Sequence, residues 1–143
     1  MEAIMKKLNK GKVIGLAVPV VIFAVVIVTV ALKYIGKKPF NNLKAGDIYS
    51  VKIRLIPPDK TIEVDGIQEL VDILKEVVVY ERDDSYKEYA GQSVIYTVKM
   101  KDGSETVIDA YNPFIVIDGL GYKTQYGPCE ELTVMANELL QGK

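Results

Sequence analysis

The chain has 143 residues, a formal net charge of −1, one cysteine and no histidine. The lack of histidine excludes Ser-His-Asp and Cys-His catalysis, histidine metal ligation and an imidazole pH switch. The near-neutral charge conceals an asymmetry, because residues 1–44 carry +7 and residues 45–143 carry −8. An acidic region without a basic stripe argues against nucleic acid as a partner, because phosphate binding needs clustered cations.

A run of twenty residues, 13–32, contains no charge, and fourteen of them are Val, Ile, Leu or Phe. As a helix the run is about 30 Å long, which matches the hydrocarbon core of a bilayer. We therefore predict a basic flank over residues 1–12 and a transmembrane helix over 13–35, with the lipid bilayer as partner. A cleavable signal peptide is the alternative, although its apolar region is usually shorter. Pro19 is expected to bend the helix more than break it.

The orientation follows from charge. Four lysines precede the apolar run and four follow it, so the positive-inside rule alone nearly ties. The acidic region after residue 44 favours a cytoplasmic N-terminus and an extracytoplasmic C-terminal domain, giving a single-pass protein of the cell membrane. The lysines beside the span are placed to contact anionic lipid headgroups.

After the span, residues 36–44 hold Gly, Pro and Asn, which predicts a linker. Residues 45–143 have the size of one domain. Apolar and polar residues alternate from Tyr49 to Leu55, which predicts an antiparallel strand with one solvated face. A turn at Pro57 and a short returning strand follow. An apolar series at i, i+3, i+4 and i+7 from Ile67 predicts an amphipathic helix that ends near Glu76.

Five further strands and a helix are predicted after that helix. Asp65 and Gln68 have the spacing of a capping box before it. Asp102 with Gly103 predicts a type I′ hairpin turn, and a second hairpin surrounds residues 118–121. Gly127 is predicted to cap the last helix. The order is β-β-α-β-β-β-β-β-α, an α+β fold with a mostly antiparallel sheet covered on one face by two helices.

Few side chains are candidates for chemistry. Carboxylates able to pair for acid–base catalysis or Ca²⁺ binding are found at Asp83, Asp84, Asp102, Asp109 and Asp118, and solvated turn roles are favoured for them. The lone Cys129 shares the buried stripe of the last helix, which favours a core role over a reactive thiol. We assign no catalytic, cofactor-binding or metal-binding residue.

Tyrosine is the one enriched type, with nine against three Phe. Tyr86 and Tyr89 lie in a polar loop, 82–92, and are candidate partner-contact residues because tyrosine has an apolar ring and a polar tip. Tyrosines at the edges of a half-buried sheet explain most of the others. A membrane or envelope protein is the partner that this loop would contact.

Residues 103–126, GSETVIDAYNPFIVIDGLGYKTQY, follow a lysine-flanked anchor in the same chain. This arrangement resembles small membrane-tethered extracytoplasmic domains of unknown function from Gram-positive bacteria. The resemblance implies a sensing or accessory role and transfers no functional residue. We therefore expect a non-enzymatic binding or accessory module. The alternatives are a carboxylate-dependent cell-envelope hydrolase, and a structural subunit of a membrane complex whose span packs through Gly15 and Pro19.

Overall fold

The computed structural model of the protein describes residues 2–142, with side chains described from residue 15 onward. It divides into two compact units, Met1–Ile35 and Gly36–Lys143. The first is a single helix, α1 (Glu2–Tyr34), which continues through Pro19. Within α1, Gly15–Tyr34 has a mean hydropathy of 2.9 and is long and apolar enough to span a membrane. The predicted apolar helix is thus present.

In the described residues, the second unit has the predicted order of strands and helices. Its helices are α2 (Ile67–Glu76) and α3 (Tyr126–Leu140), and 3-10 helices lie at Ala45–Asp47 and Ser85–Glu88. Its strands are β1 (Ile48–Ile56), β2 (Lys60–Glu63), β3 (Val79–Arg82), β4 (Ser93–Met100), β5 (Glu105–Tyr111), β6 (Phe114–Ile117) and β7 (Leu120–Thr124). The predicted α+β class is confirmed.

The seven strands described form one antiparallel sheet in the order β2-β1-β4-β5-β6-β7-β3. Strands β2 and β3 lie at opposite edges, so the segment containing α2 carries the chain from one edge to the other. The chain must then return from the β3 edge to β4, past β7, β6 and β5. At about 4.8 Å per strand this return is roughly 19 Å long, and residues 83–92 make it.

The core lies between the sheet and the two helices of the second unit. Alternate residues of the central strands are buried, including Ile53, Tyr96 and Ile108. The apolar stripe predicted on α2 is confirmed, since Leu70 and Leu74 are fully buried. Replacing such a leucine by alanine typically costs about 2–5 kcal/mol. Packing of these helices on one sheet face is therefore a main source of the domain's stability.

The two Asp-Gly hairpins have different turns. At residues 118 and 119 both φ values are positive, 48° and 82°, as a type I′ turn requires. In the other hairpin Gly103 has φ +90°, while Asp102 is not among the described residues with positive φ. The Gly103 N–H donates to the Met100 carbonyl at 3.1 Å. The predicted type I′ turn at Asp102 and Gly103 is therefore wrong; a three-residue loop with glycine in the left-handed region connects the strands.

The helix starts also differ from the prediction. α2 has Gly66 at its N-cap without a side-chain capping bond, and Gln68 donates to Asp72 at 2.8 Å instead of reaching back. The predicted capping box is therefore wrong. α3 starts one residue before Gly127, so that glycine lies in the first turn and is not the cap. Gln125 occupies the N-cap, and Pro128 lies in the first turn as expected.

Residues 36–44, predicted as a linker, make specific contacts within the second unit. Lys37 and Val79 exchange two backbone hydrogen bonds of 2.8 Å, which add one residue to the β3 edge. Phe40 is 9% exposed and belongs to the core. The segment is therefore fixed to the domain by backbone pairing and by burial of an aromatic ring, although its composition is that of a linker.

Candidate functional site

The connection from β3 to β4, residues 83–92, lies on the sheet face opposite the helices. Tyr111 follows the core residue Ala110 and therefore points to this second face, as does its cross-strand partner Phe114. The Asp83 N–H donates to the Gly121 carbonyl at 2.9 Å. This hydrogen bond, together with the ring contacts of Tyr86 and Tyr89 with Tyr111 and Phe114, places the connection over the sheet instead of leaving it in solvent.

Tyr86, the first of the two predicted partner-contact residues, is half-buried over β7. A Cβ atom at Gly121 would lie 2.6 Å from Tyr86 Cδ1, so the ring occupies the space that the glycine leaves. The ring also meets Tyr111 edge-on, with centroids 6.4 Å apart and an interplanar angle of 67°. Tyr86 is therefore committed to packing within the domain.

Tyr89, the second predicted residue, has a 59% exposed side chain. Its ring centroid lies 5.4 Å from that of Phe114, and its carbonyl accepts a hydrogen bond from the Tyr111 hydroxyl. Phe114 and Val116 are buried although they face away from the helices. The connection thus covers a small second apolar cluster, while much of the Tyr89 ring faces solvent. A partner role for Tyr86 and Tyr89 stays a prediction.

The carboxylates at the start of the connection stabilise its backbone. Hydrogen bonds from Ser85 lower the pKa of Asp83. The Gly121 N–H, with a smaller effect from Arg82, lowers the pKa of Asp84. Both groups are therefore ionised at neutral pH. Among the described side chains, those of residues 15–142, no group of three or more from Asp, Glu, His and Cys is arranged to hold a metal ion.

The other three candidate carboxylates act separately from one another. Asp102 accepts the N–H of Ser104 at 2.8 Å, as turn residues do. Asp118 accepts the N–H of Val107 at 2.8 Å, so its carboxylate joins the turn to β5. Asp109 lies within β5 and is not a turn residue. Burial raises the pKa of Asp109, against the opposing effect of hydrogen bonds from Ser93 and Val94. Its hydrogen bonds tie the beginning of β4 to β5.

Cys129 is fully buried, and its Sγ donates to the Phe114 carbonyl at 3.3 Å. Burial raises the pKa of the Cys129 thiol to about 12. The core interpretation of this residue is confirmed. Because the thiolate is the nucleophilic form, the thiol is unreactive at neutral pH.

A cavity of about 230 Å³ lies beside Tyr89. Three parts of the chain line it: residues 89–92, residues 110–112, and Glu130 with Thr133 on α3. The cavity therefore forms where the end of the connection meets the end of β5 and the beginning of the last helix. We refer to it below as the Tyr89 cavity.

The polar side chains that line the Tyr89 cavity differ in their hydrogen bonds. Asn112 Nδ2 donates to Glu130 Oε2 at 3.0 Å. Asn112 Oδ1 is buried and has no hydrogen-bond partner among the described residues. The amide of Gln92, by contrast, exchanges hydrogen bonds of 3.2 and 2.9 Å with that of Asn137. Glu130 is the one charged residue in the lining.

Comparison with protein-family models, with curated proteins and with solved structures finds no match for this chain. The chemistry of the cavity is therefore inferred from its own residues. Sequence reasoning identified Tyr89 and missed Asn112 and Glu130. In the sequence, Asn112 precedes a proline and Glu130 lies two residues after another proline, and neither position indicates a cavity. No local pattern links them to Tyr89, because three distant segments meet there only once the sheet has formed.

Proposed function

We propose that this protein is a membrane-anchored, non-enzymatic binding or accessory module, with its acidic domain on the extracytoplasmic side of the cell membrane. The observation that carries the proposal is the Tyr89 cavity, which combines an exposed aromatic rim with a single lining carboxylate, Glu130. Carboxylate-dependent hydrolysis of a glycosidic polymer uses a pair of acidic groups. Tyrosine at a rim suits recognition, since the ring supplies contact area and the hydroxyl a hydrogen bond.

The anchor and its flanks support the location. The apolar part of α1, Gly15–Tyr34, has the length and hydropathy of a membrane span. The lysines of residues 1–12 suit the cytoplasmic side. Lys33, Lys37 and Lys44 suit contact with anionic headgroups at the other end, and the acidic charge after residue 44 suits the extracytoplasmic side.

The orientation is tested with a cysteine in an exposed hairpin. Lys101→Cys places a reactive thiol on the loop between β4 and β5, whereas the native Cys129 is buried and gives little background. A membrane-impermeant maleimide is expected to label the Lys101→Cys protein in intact cells and to leave the unsubstituted protein unlabelled. Labelling that requires permeabilised cells overturns the proposed orientation.

The binding role is tested by photo-crosslinking in intact membranes. A photoreactive phenylalanine analogue replaces Tyr89, and in a matched control it replaces Tyr49, whose side chain is 74% exposed on β1. A defined adduct is expected from position 89 and not from position 49. Equal adducts from both positions, or none from position 89, overturn the proposal. Adducts formed only by probes within the apolar part of α1 support the structural-subunit alternative.

A further inference from the structure

We infer that the Tyr89 cavity binds the ammonium end of an alkylamine, supplied either by a small amine or by a lysine side chain of a peptide. This inference rests on the proposed binding function and specifies the chemical class of its ligand. It depends on three properties of the lining: its charge, the orientation of its carboxylate, and its apolar and aromatic groups.

The charge of the lining selects for a cation. Glu130 is the one Asp or Glu residue among the lining residues, and neither Lys nor Arg is among them. An anion placed there would meet an uncompensated carboxylate, whereas a cation would gain an ion pair shielded on several sides. The acidic charge of residues 45–143 adds a favourable long-range field for cations.

The Glu130 carboxylate is held in place to receive the donors of an ammonium group. Asn112 Nδ2 donates to Glu130 Oε2 at 3.0 Å, which orients the carboxylate in the lining of the cavity. An ammonium group has three donors and no acceptor, so it can bond to this carboxylate without bringing an unpaired acceptor of its own.

The remaining lining suits an alkyl stem. Ala90 supplies a methyl group, and Tyr89 supplies an aromatic ring at the rim. Aromatic faces attract ammonium groups and also pack against methylenes. A volume of about 230 Å³ lies below the range of about 300–1,000 Å³ usual for drug-sized ligands. The cavity therefore fits the end of a side chain and not a whole cofactor.

The experiment uses the full-length protein in non-ionic detergent micelles and follows backbone amide signals by NMR. The probe is Nα-acetyl-lysine N-methylamide, and its norleucine analogue, which keeps the alkyl chain and lacks the ammonium group, is the matched control. The lysine probe is expected to shift the signals of Gly91 and Asn112 in a saturable way. The norleucine analogue is expected to leave them unshifted. Cadaverine distinguishes the two sources: tighter binding of the lysine probe indicates a peptide ligand, and equal binding indicates recognition of the amine alone.

Two variants and one control variant test whether the lysine probe binds in the Tyr89 cavity. Glu130→Gln keeps an acceptor for Asn112 and removes the charge, so it should weaken binding of the lysine probe about tenfold or more. Glu131→Gln is the matched control, since this neighbour on α3 is exposed and does not line the cavity; its affinity should be unchanged. Tyr89→Leu should weaken binding several-fold through loss of the aromatic face.

Specific outcomes overturn the inference. Equal binding of the norleucine analogue would show that the cavity recognises the alkyl chain and not the ammonium group. Equal losses in Glu130→Gln and Glu131→Gln would show general attraction to an acidic surface. No saturable binding of either amine would show that the cavity is not an ammonium site. In each case the crosslinking at position 89 still decides the proposed binding function separately, because that assay does not depend on the identity of the ligand.

Discussion

Adding one methyl group at Gly121 should displace residues 83–92, the connection that covers the sheet face opposite the helices. A Cβ atom there would meet the Asp83 carbonyl oxygen and lie 2.6 and 2.8 Å from two atoms of the Tyr86 ring. Real Cβ contacts are not that short, so the substitution Gly121→Ala forces either the ring or the backbone of the connection to move. The carbonyl belongs to the backbone and cannot rotate away as a side chain can.

The cost follows from these contacts. Overpacking by one methyl group typically costs about 1–3 kcal/mol. Lifting the connection also breaks the bond from the Asp83 N–H to the Gly121 carbonyl and the bond from the Gly121 N–H to Asp84. The second bond has an ionised acceptor, and such charge-assisted bonds are stronger than bonds between neutral groups. We therefore expect Gly121→Ala to lower the free energy of unfolding by about 2–4 kcal/mol.

The measurement is urea unfolding of the full-length protein in detergent, together with hydrogen exchange of residues 83–92. The control is Gly127→Ala in the first turn of α3, where a Cβ atom meets nothing within 4 Å. Alanine in a helix is expected to leave stability unchanged or raise it by about 0.5–1 kcal/mol. If Gly121→Ala is as stable as Gly127→Ala and exchange over 83–92 is unchanged, the close packing inferred at this glycine is wrong.

Further outcomes are expected at three places in the domain: Phe40, Cys129 and Gly36. A fragment of residues 36–143 should be more stable than one of residues 45–143 by about 1.5–3 kcal/mol, because the shorter fragment lacks the buried ring of Phe40; equal urea midpoints would contradict this. Cys129 should resist alkylation at pH 8 until the protein unfolds. Burial raises the pKa of that thiol from 9.0 to about 12. The contribution of the thiol to stability is therefore present below pH 9 and declines as the pH rises from 9 to 12. Cys129→Ala should remove that part of the decline in free energy of unfolding, as measured by urea titrations. Gly36→Ala should speed hydrogen exchange along the β3 edge, because the added methyl group would collide with the side chains of Val78 and Tyr80. Unchanged exchange would refute that contact.

The sequence predicts elements well where the pattern of burial is regular. The alternation from Val51 to Leu55 corresponds to β1, with Val51, Ile53 and Leu55 in the core. The alternation is wrong at Tyr49, because an irregularity between Ile48 and Ser50 puts Ile48 in the core and leaves Tyr49 74% exposed. The helical spacing from Ile67 corresponds to α2, with Leu70, Val71 and Leu74 buried. These elements each bury one face, so the period of apolar residues reports directly on their structure.

The path of the chain between elements is not visible in such patterns. Strand β3 lies at the far edge of the sheet beside β7, which follows it by about forty residues in sequence. This placement obliges residues 83–92 to cross the second face, and it gives Gly121 a close-packing role that its position near a hairpin turn does not reveal. Phe40 is another example, since a single aromatic residue in a polar segment gives no periodic signal.

Tyr86 and Tyr89 lie in the same connection, residues 83–92, but we expect the first to contribute to stability and the second to binding. Tyr86 packs on β7 and against Tyr111, so Tyr86→Ala should lower the free energy of unfolding by about 1–3 kcal/mol. Tyr89 faces solvent over more than half of its surface and lines the cavity, so Tyr89→Ala should weaken crosslinking and amine binding with less effect on stability. Urea unfolding and the NMR titration measure both quantities for each variant. A Tyr89→Ala protein that loses stability as Tyr86→Ala does, while its binding is unchanged, would place Tyr89 in the packing of the second face and not in a binding site.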